Sequence, residues 1–225
     1  DFNKNFNVSP PIKKIKKVIP SNLANKYVLI QWEDTLQANT TYNFNFGNAI
    51  VDNNESNPLP YFNFAFSTGD KIDDLFVSGT VKDAMTLIKE NQTAKDNKMV
   101  VGLYKVGENL DYKQKPDYIT KVDEENYFEL NFLPKGEFVI IAFDDENQNS
   151  VYDAGKEKVS FLKEKITLDS TSVRGLKLKL YPSKKVVKYK ESKAINGGLL
   201  MTFEGNPETV EVKSLSEELK DFKVT

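Results

Sequence analysis

The chain contains no histidine and no cysteine in 225 residues. These two absences remove the Ser-His-Asp triad, cysteine nucleophiles, most zinc sites and every disulfide. They also remove the side chain that exchanges protons most readily near neutral pH. Without cysteine there is no signal of redox compartment either way. A carboxylate-only hydrolase survives the exclusion, although 33 acidic residues make a chance carboxylate pair easy to find. No run of about 18 apolar residues occurs, so no segment reads as a membrane-spanning helix. No signal peptide is visible, and the chain starts at Asp1 rather than Met, as expected of a mature or trimmed product. A strong basic balance is missing too. Thirty-one basic against 33 acidic residues leave a net charge of -2, which argues against a general nucleic-acid binder. The one basic run, Lys13-Lys14-Ile15-Lys16-Lys17, reads as a solvated edge strand whose lysines discourage strand addition, with a contact to anionic lipid or polysaccharide as the alternative.

What the chain does have is period-two alternation. Tyr42, Phe44 and Phe46 share one face and Asn43 and Asn45 the other. Phe62, Phe64 and Phe66 repeat the pattern, as do Phe128, Leu130 and Phe132, and Leu176, Leu178 and Leu180 alternate with Lys177 and Lys179. Residues 28–32, 99–104 and 138–143 are more continuously apolar, as central strands are. Asn, Asp, Gly and Pro clusters separate these runs at short intervals, so the expected class is all-β, a tandem of β-sandwiches. The 15 Phe and 10 Tyr supply the bulk to fill such cores, and a sugar-stacking platform is the alternative use of them. Helical signals are confined to residues 81–90 and to residues 214–222, where Ser214 and Glu217 have capping-box spacing.

One loop carries metal-type chemistry. After the apolar run 138–142, the residues Asp145, Asn147, Asn149 and Asp153 present oxygen side chains at odd spacing, and Glu157 adds a carboxylate. Ca2+ wants six to eight oxygens, and such a loop can wrap one. The pattern is imperfect: Ser150 stands where a glycine is expected, Lys156 stands at the twelfth position, and no helices flank the loop, so it is not an EF-hand. The alternative is an Asx-rich turn that bonds its own backbone. These five residues are the candidate site, with Ca2+ the one candidate cofactor and no catalytic residue assigned.

Breakers at Ser67-Thr-Gly-Asp70 and Tyr181-Pro-Ser-Lys-Lys185 divide the chain at about residues 70 and 181. In the first block, Asn7-Val-Ser-Pro-Pro11, then Asn39-Thr-Thr-Tyr42 running into Asn43-Phe-Asn-Phe46, the Asx-rich loop Asp52-Asn-Asn-Glu-Ser-Asn57 and the closing Phe64-Ala-Phe-Ser-Thr-Gly69 stand in order. This stretch, residues 1–70, resembles a bacterial Ig-like domain of exported envelope lipoproteins. The resemblance implies that its opening strands lie upstream of Asp1. Thr68-Gly69 is expected to close the last strand on a residue that can take positive φ.

Residues 71–181 carry Val77-Ser-Gly-Thr-Val81, Val101-Gly-Leu-Tyr104, Asp123-Glu-Glu-Asn-Tyr-Phe128 and Leu133-Pro-Lys-Gly-Glu-Phe138. They are similar to carboxypeptidase regulatory-like, transthyretin-like domains, which carry no peptidase chemistry. Asn126 departs from the glycine usual there, and since Asn tolerates the left-handed region the turn is expected to survive. Residues 182–225 read as the start of a further β domain or an extension. Such tandems imply an exported, non-enzymatic envelope protein, a surface lipoprotein serving as accessory or scaffold subunit of an outer-membrane protein complex or docking on other envelope proteins. Membrane contact is then expected only through a lipid anchor upstream of the chain. A carbohydrate-binding or adhesive module and a structural stalk are the alternatives.

Overall fold

The structure is a computed structural model that describes residues 5–19, 27–52, 54–59, 62–85, 98–107, 110–183 and 187–205, with the side chains of 17–19 left out. The elements formed by the described residues are all strands: β1 (Asn7–Ser9), β2 (Ile15–Ile19), β3 (Leu29–Trp32), β4 (Thr41–Gly47), β5 (Phe62–Ser67), β6 (Leu75–Asp83), β7 (Met99–Lys105), β8 (Tyr118–Lys121), β9 (Tyr127–Leu133), β10 (Gly136–Asp144), β11 (Val159–Phe161), β12 (Ile166–Leu168), β13 (Val173–Leu180), β14 (Lys188–Ile195) and β15 (Gly198–Glu204). The chain is thus all-β, as the alternation predicts. Residues 81–83, placed in a helical signal above, are the end of β6, and residues 84–85 form a turn in which the Met85 amide donates to Asp83 Oδ1 at 2.9 Å. The rest of that signal and the whole of 214–222 lie outside the described residues.

Two compact units emerge, Asp1–Ser183 and Lys184–Thr225. In the larger unit, residues 75–180 build two sheets. One has the order β11-β10-β7-β8, with β12 also on β10, and the other has the order β13-β6-β9. All their pairs are antiparallel except β13 on β6, which is parallel. Their shared core is aliphatic with aromatic plugs: Val77, Val101, Leu103, Leu133, Phe138 and Ile140 are wholly buried. Leu178 and Leu180 join it while Lys177 and Lys179 stay in solvent, as their alternation predicts.

The row Phe128, Leu130, Phe132 is corrected. Phe128 and Leu130 enter the core, but the β6–β9 register slips between Leu75 and Val77, and Phe132 adopts φ 60°. That bulge turns Leu133 inward in place of Phe132. Asn126 takes φ 64° in the turn before β9, where Asp123 Oδ1 accepts the Glu125 and Tyr127 amides, so the turn stands without glycine.

Residues 5–69 form a three-stranded sheet, β1-β4-β5, and a two-stranded ribbon, β2-β3. Val8, Tyr42, Phe44 and Phe46 are buried, with Ile15, Ile30, Trp32 and Phe66 packed against them. Trp32 lies 5.9 Å from the Phe44 ring and stacks on Phe66 at 6.5 Å, so it serves packing. Lys13, Lys14 and Lys16 are exposed on or beside the ribbon, and Lys16 pairs with Glu33 at 2.9 Å. Gly69 does not take positive φ. A side chain there would press on Asn39, whose Cα lies 3.0 Å from an ideal Cβ, and Asn39 itself takes the left-handed conformation at φ 50°. Close approach, rather than backbone freedom, is what glycine supplies at this position.

In the smaller unit β14 and β15 form a hairpin turned at Asn196-Gly197, with Gly197 at φ 79°. The cross-strand pairs Tyr189–Phe203, Ser192–Met201 and Ala194–Leu199 lie on one face. All the residues of its two strands are exposed.

Candidate functional site

The structure brings Asp145, Asn147, Asn149, Asp153 and Glu157 into one loop between β10 and β11. Strand β10 delivers Asp145 buried, at 4 % exposure, with its amide bonded to the Lys98 carbonyl. From there the loop winds around its own acidic groups. Asp145 Oδ1 accepts the Asn149 amide and Oδ2 the Ser150 amide, each at 3.0 Å. Asn147 Oδ1 accepts the Asn149 amide at 3.0 Å, and Asn149 Oδ1 the Val151 amide at 2.7 Å. Glu157, also buried, returns from the far end, its Oε1 accepting the Glu146 amide at 3.1 Å and its Oε2 the Asp153 amide at 2.8 Å. Asn147 Nδ2 donates to Asp153 Oδ2 at 2.6 Å. Gln148 and Ser150 adopt φ 58° and 62°, so a serine occupies the left-handed position where glycine was expected.

The oxygens are therefore turned on the loop's own N–H groups, the arrangement of a self-bonded Asx turn. Among the described residues no group of three or more Asp and Glu is placed to hold a metal ion. Burial raises the Asp145 carboxyl above the ordinary carboxylate range, offset in part by the Ser150, Asn149 and Gln148 amides. Burial raises Glu157 likewise, against the Asp153 and Glu146 amides, with the nearby Asp145 charge adding to the rise.

The loop also touches the first sheet. Ser150 Oγ donates to Asn7 Oδ1 at 3.4 Å. Close by, the Ile119 amide donates to Ser9 Oγ at 3.2 Å and Lys121 Nζ to Asn5 Oδ1 at 2.9 Å. Farther along, Thr41 Oγ1 donates to Asp73 Oδ2 at 2.8 Å. The polar face of β1-β4-β5 is thus a junction: Ser9, Thr41 and Asn43 are buried there. The sequence shows these residues as the polar half of an alternating strand, and that pattern is the same whether the face meets water or a polar protein surface.

A second feature lies on the opposite, aromatic face. Phe62 and Phe64 share that face with Phe66 on β5, yet Phe62 is 38 % and Phe64 54 % exposed. Strand β5 pairs only with β4, and β3 only with β2, so each presents an edge with no strand partner among the described residues. Leu29, on β3, and the preceding Val28 are exposed as well.

Comparison with known proteins places one segment. Residues 3–68 match the family model of the bacterial Ig-like domain. No curated protein and no solved structure matches the chain. A domain of this family points to a bacterial surface or envelope protein, exported from the cytoplasm, and indicates no enzyme family.

Proposed function

We propose that the chain is a non-catalytic, exported envelope protein, a surface lipoprotein that serves as accessory or scaffold subunit of an outer-membrane protein complex. The observation that carries this reading is the edge of β5, which carries no further strand among the described residues, beside the exposed rings of Phe62 and Phe64. An unpaired strand edge offers a row of backbone donors and acceptors, and an extended segment can pair with the whole row at once. A strand of the partner protein, apolar at alternate positions, gains main-chain hydrogen bonds from β5 and covers the rings with the same move. Residues 71–181, with two sheets closed on an aliphatic core, serve in this proposal as a regulatory-like β-sandwich that holds the docking sheet in place.

Crosslinking in intact cells, followed by identification of what copurifies from the solubilised envelope, tests the reading. Stoichiometric recovery with an outer-membrane barrel, lost in a Phe64→Asp variant that still folds, supports it. Recovery of the chain alone sinks it.

A second reading, a structural stalk, draws on the Ser150–Asn7 contact, which sets the acidic loop against the first sheet. Ca2+ would then stiffen the junction. Melting with Ca2+ and with chelator decides that point: a reversible rise in Tm establishes a cation at Asp145–Glu157, and no change leaves the loop bonded to itself. A carbohydrate-binding or adhesive role has less support, because Trp32 packs on Phe44 and Phe66.

A further inference from the structure

The junction holds a small cavity between the polar face of the first sheet and strands β8 and β9. Asn43, Asn45 and Asn63 line it from one side, and Thr120, Glu129 and Asn131 from the other. Asn43 is 8 % exposed, and its Oδ1 is buried and makes no hydrogen bond to the protein. A buried amide oxygen without a donor keeps its full desolvation penalty, and such atoms are rarely left so in folded proteins. The surrounding groups do not turn to meet it. Glu129 can only accept, and it takes the Asn131 Nδ2 donor at 2.9 Å on Oε1 and the Tyr127 hydroxyl at 2.5 Å on Oε2, so neither is directed at Asn43. Ser9 Oγ accepts the Ile119 amide at 3.2 Å, and its own hydroxyl makes no hydrogen bond to Asn43 Oδ1. The cavity measures about 10 Å3, close to what one water needs, and its lining supplies both donors and acceptors.

We infer that this cavity is a binding site for one ordered water, which donates to Asn43 Oδ1 and bridges it to the β8–β9 side. A water suits the site better than a cation because the lining mixes amide donors with oxygens, and donors would oppose a positive ion. The water completes the hydrogen bonding of a face that cannot reach across by side chains alone. It thereby makes the junction a wet polar interface, with the two β halves fixed by shared hydrogen bonds rather than by apolar burial. This inference stands apart from the docking edge of β5 and does not depend on it.

Oxygen-17 water relaxation on the full 225-residue chain and a high-resolution crystal structure test it together. The wild type is expected to hold one long-lived water that Asn43→Leu removes, with density within hydrogen-bond distance of Asn43 Oδ1 and of a group on β8 or β9. An unchanged water count in Asn43→Leu overturns the inference, as does a dry cavity or an Asn43 amide bonded directly to protein. If Asn43→Leu does not fold, the wild-type crystal map decides alone, by water present or cavity dry.

Discussion

In residues 75–180 the two sheets cover one another, and Val77, Val101, Leu103, Leu133, Phe138 and Ile140 lose all contact with solvent. In residues 5–69 the same alternation ends differently. A three-stranded sheet faces a two-stranded ribbon, and its aromatic row runs past the cover, leaving Phe62 and Phe64 in solvent. Both halves use period-two patterning with bulky residues inside, and among the described residues they differ in strand number and in a mainly aliphatic against a mainly aromatic core. A closed sandwich commits its inward apolar surface to stability. An uncovered row on a strand edge contributes little to stability and is available to a partner.

The largest expected effect lies in the closed half. Phe138 is wholly buried and meets the Tyr118 ring edge-on at 5.9 Å. Phe138→Ala removes that plug and is expected to cost about 3–5 kcal/mol in urea unfolding. A loss below about 1 kcal/mol would mean that the half is loosely packed, and the contrast between the halves would fail. Gly79 comes next. A Cβ there would stand 2.2 Å from the Leu176 carbonyl oxygen across the parallel β6–β13 pair. Gly79→Ala must part those strands and is expected to cost about 1–3 kcal/mol or more. Gly69→Ala, in the open half, meets Asn39 at 3.0 Å and is expected to cost less. Equal losses at the two glycines would remove the distinction.

How far the sequence reveals this contrast differs by element. The all-β class, the turn at Asn126 and the inward Leu178 and Leu180 are legible because each rests on local rules, a period of two or a residue tolerant of positive φ. Leu133 displaces Phe132 from the core because a bulge inserts one residue, and nothing in the alternation announces it. The acidic loop is legible as a cluster. Which way its oxygens turn depends on the backbone path through Gln148 and Ser150, and spacing does not encode that path. The junction at Ser9, Thr41 and Asn43 is illegible for a further reason: a polar face packed on a polar surface has the same pattern as one bathed in water.

The two Asx loops give a medium-sized test tied to pH. In the open half Asp52 is exposed and accepts the Glu55, Asn54 and Asn57 amides, which lower its pKa, the Glu55 bond most. In the closed half the same chemistry is buried, and burial raises Asp145 and Glu157. The signs are therefore opposite. The contribution of Asp52 is present above its ordinary pKa and is lost as pH falls through its lowered value. Those of Asp145 and Glu157 are present below their ordinary values and are lost as pH rises through their raised ones. Glu157→Gln turns an amide nitrogen toward one of two backbone N–H groups, so a loss of about 1–3 kcal/mol is expected at neutral pH. It should also remove part of the gain that the wild type shows on mild acidification, read as Tm against pH. Parallel curves for the variant and the wild type would show that the buried carboxyl does not titrate as its burial requires.

The smallest expected effect on stability is the most informative about function. Phe64 is 54 % exposed, and its ring centroid lies 6.5 Å from that of Phe44 and 6.3 Å from that of Phe66. Phe64→Ser is expected to cost about 1 kcal/mol, for part of the ring's burial and its contacts with Phe44 and Phe66, well below a core truncation. The same change removes the ring that a docking strand would cover, so partner recovery from the envelope should fall much further than the small shift of the melting curve. Phe46, buried in one row with Tyr42 and Phe44, would behave in the opposite way, with stability lost first. If Phe64→Ser destabilises the chain as much as a core truncation does, then β5 is already covered in solution and the open half is closed by something the protein carries itself. If it alters neither stability nor partner recovery, the exposed row is not the docking surface, and the apolar face of the β14–β15 hairpin, with Tyr189, Leu199, Met201 and Phe203 exposed, becomes the surface to test.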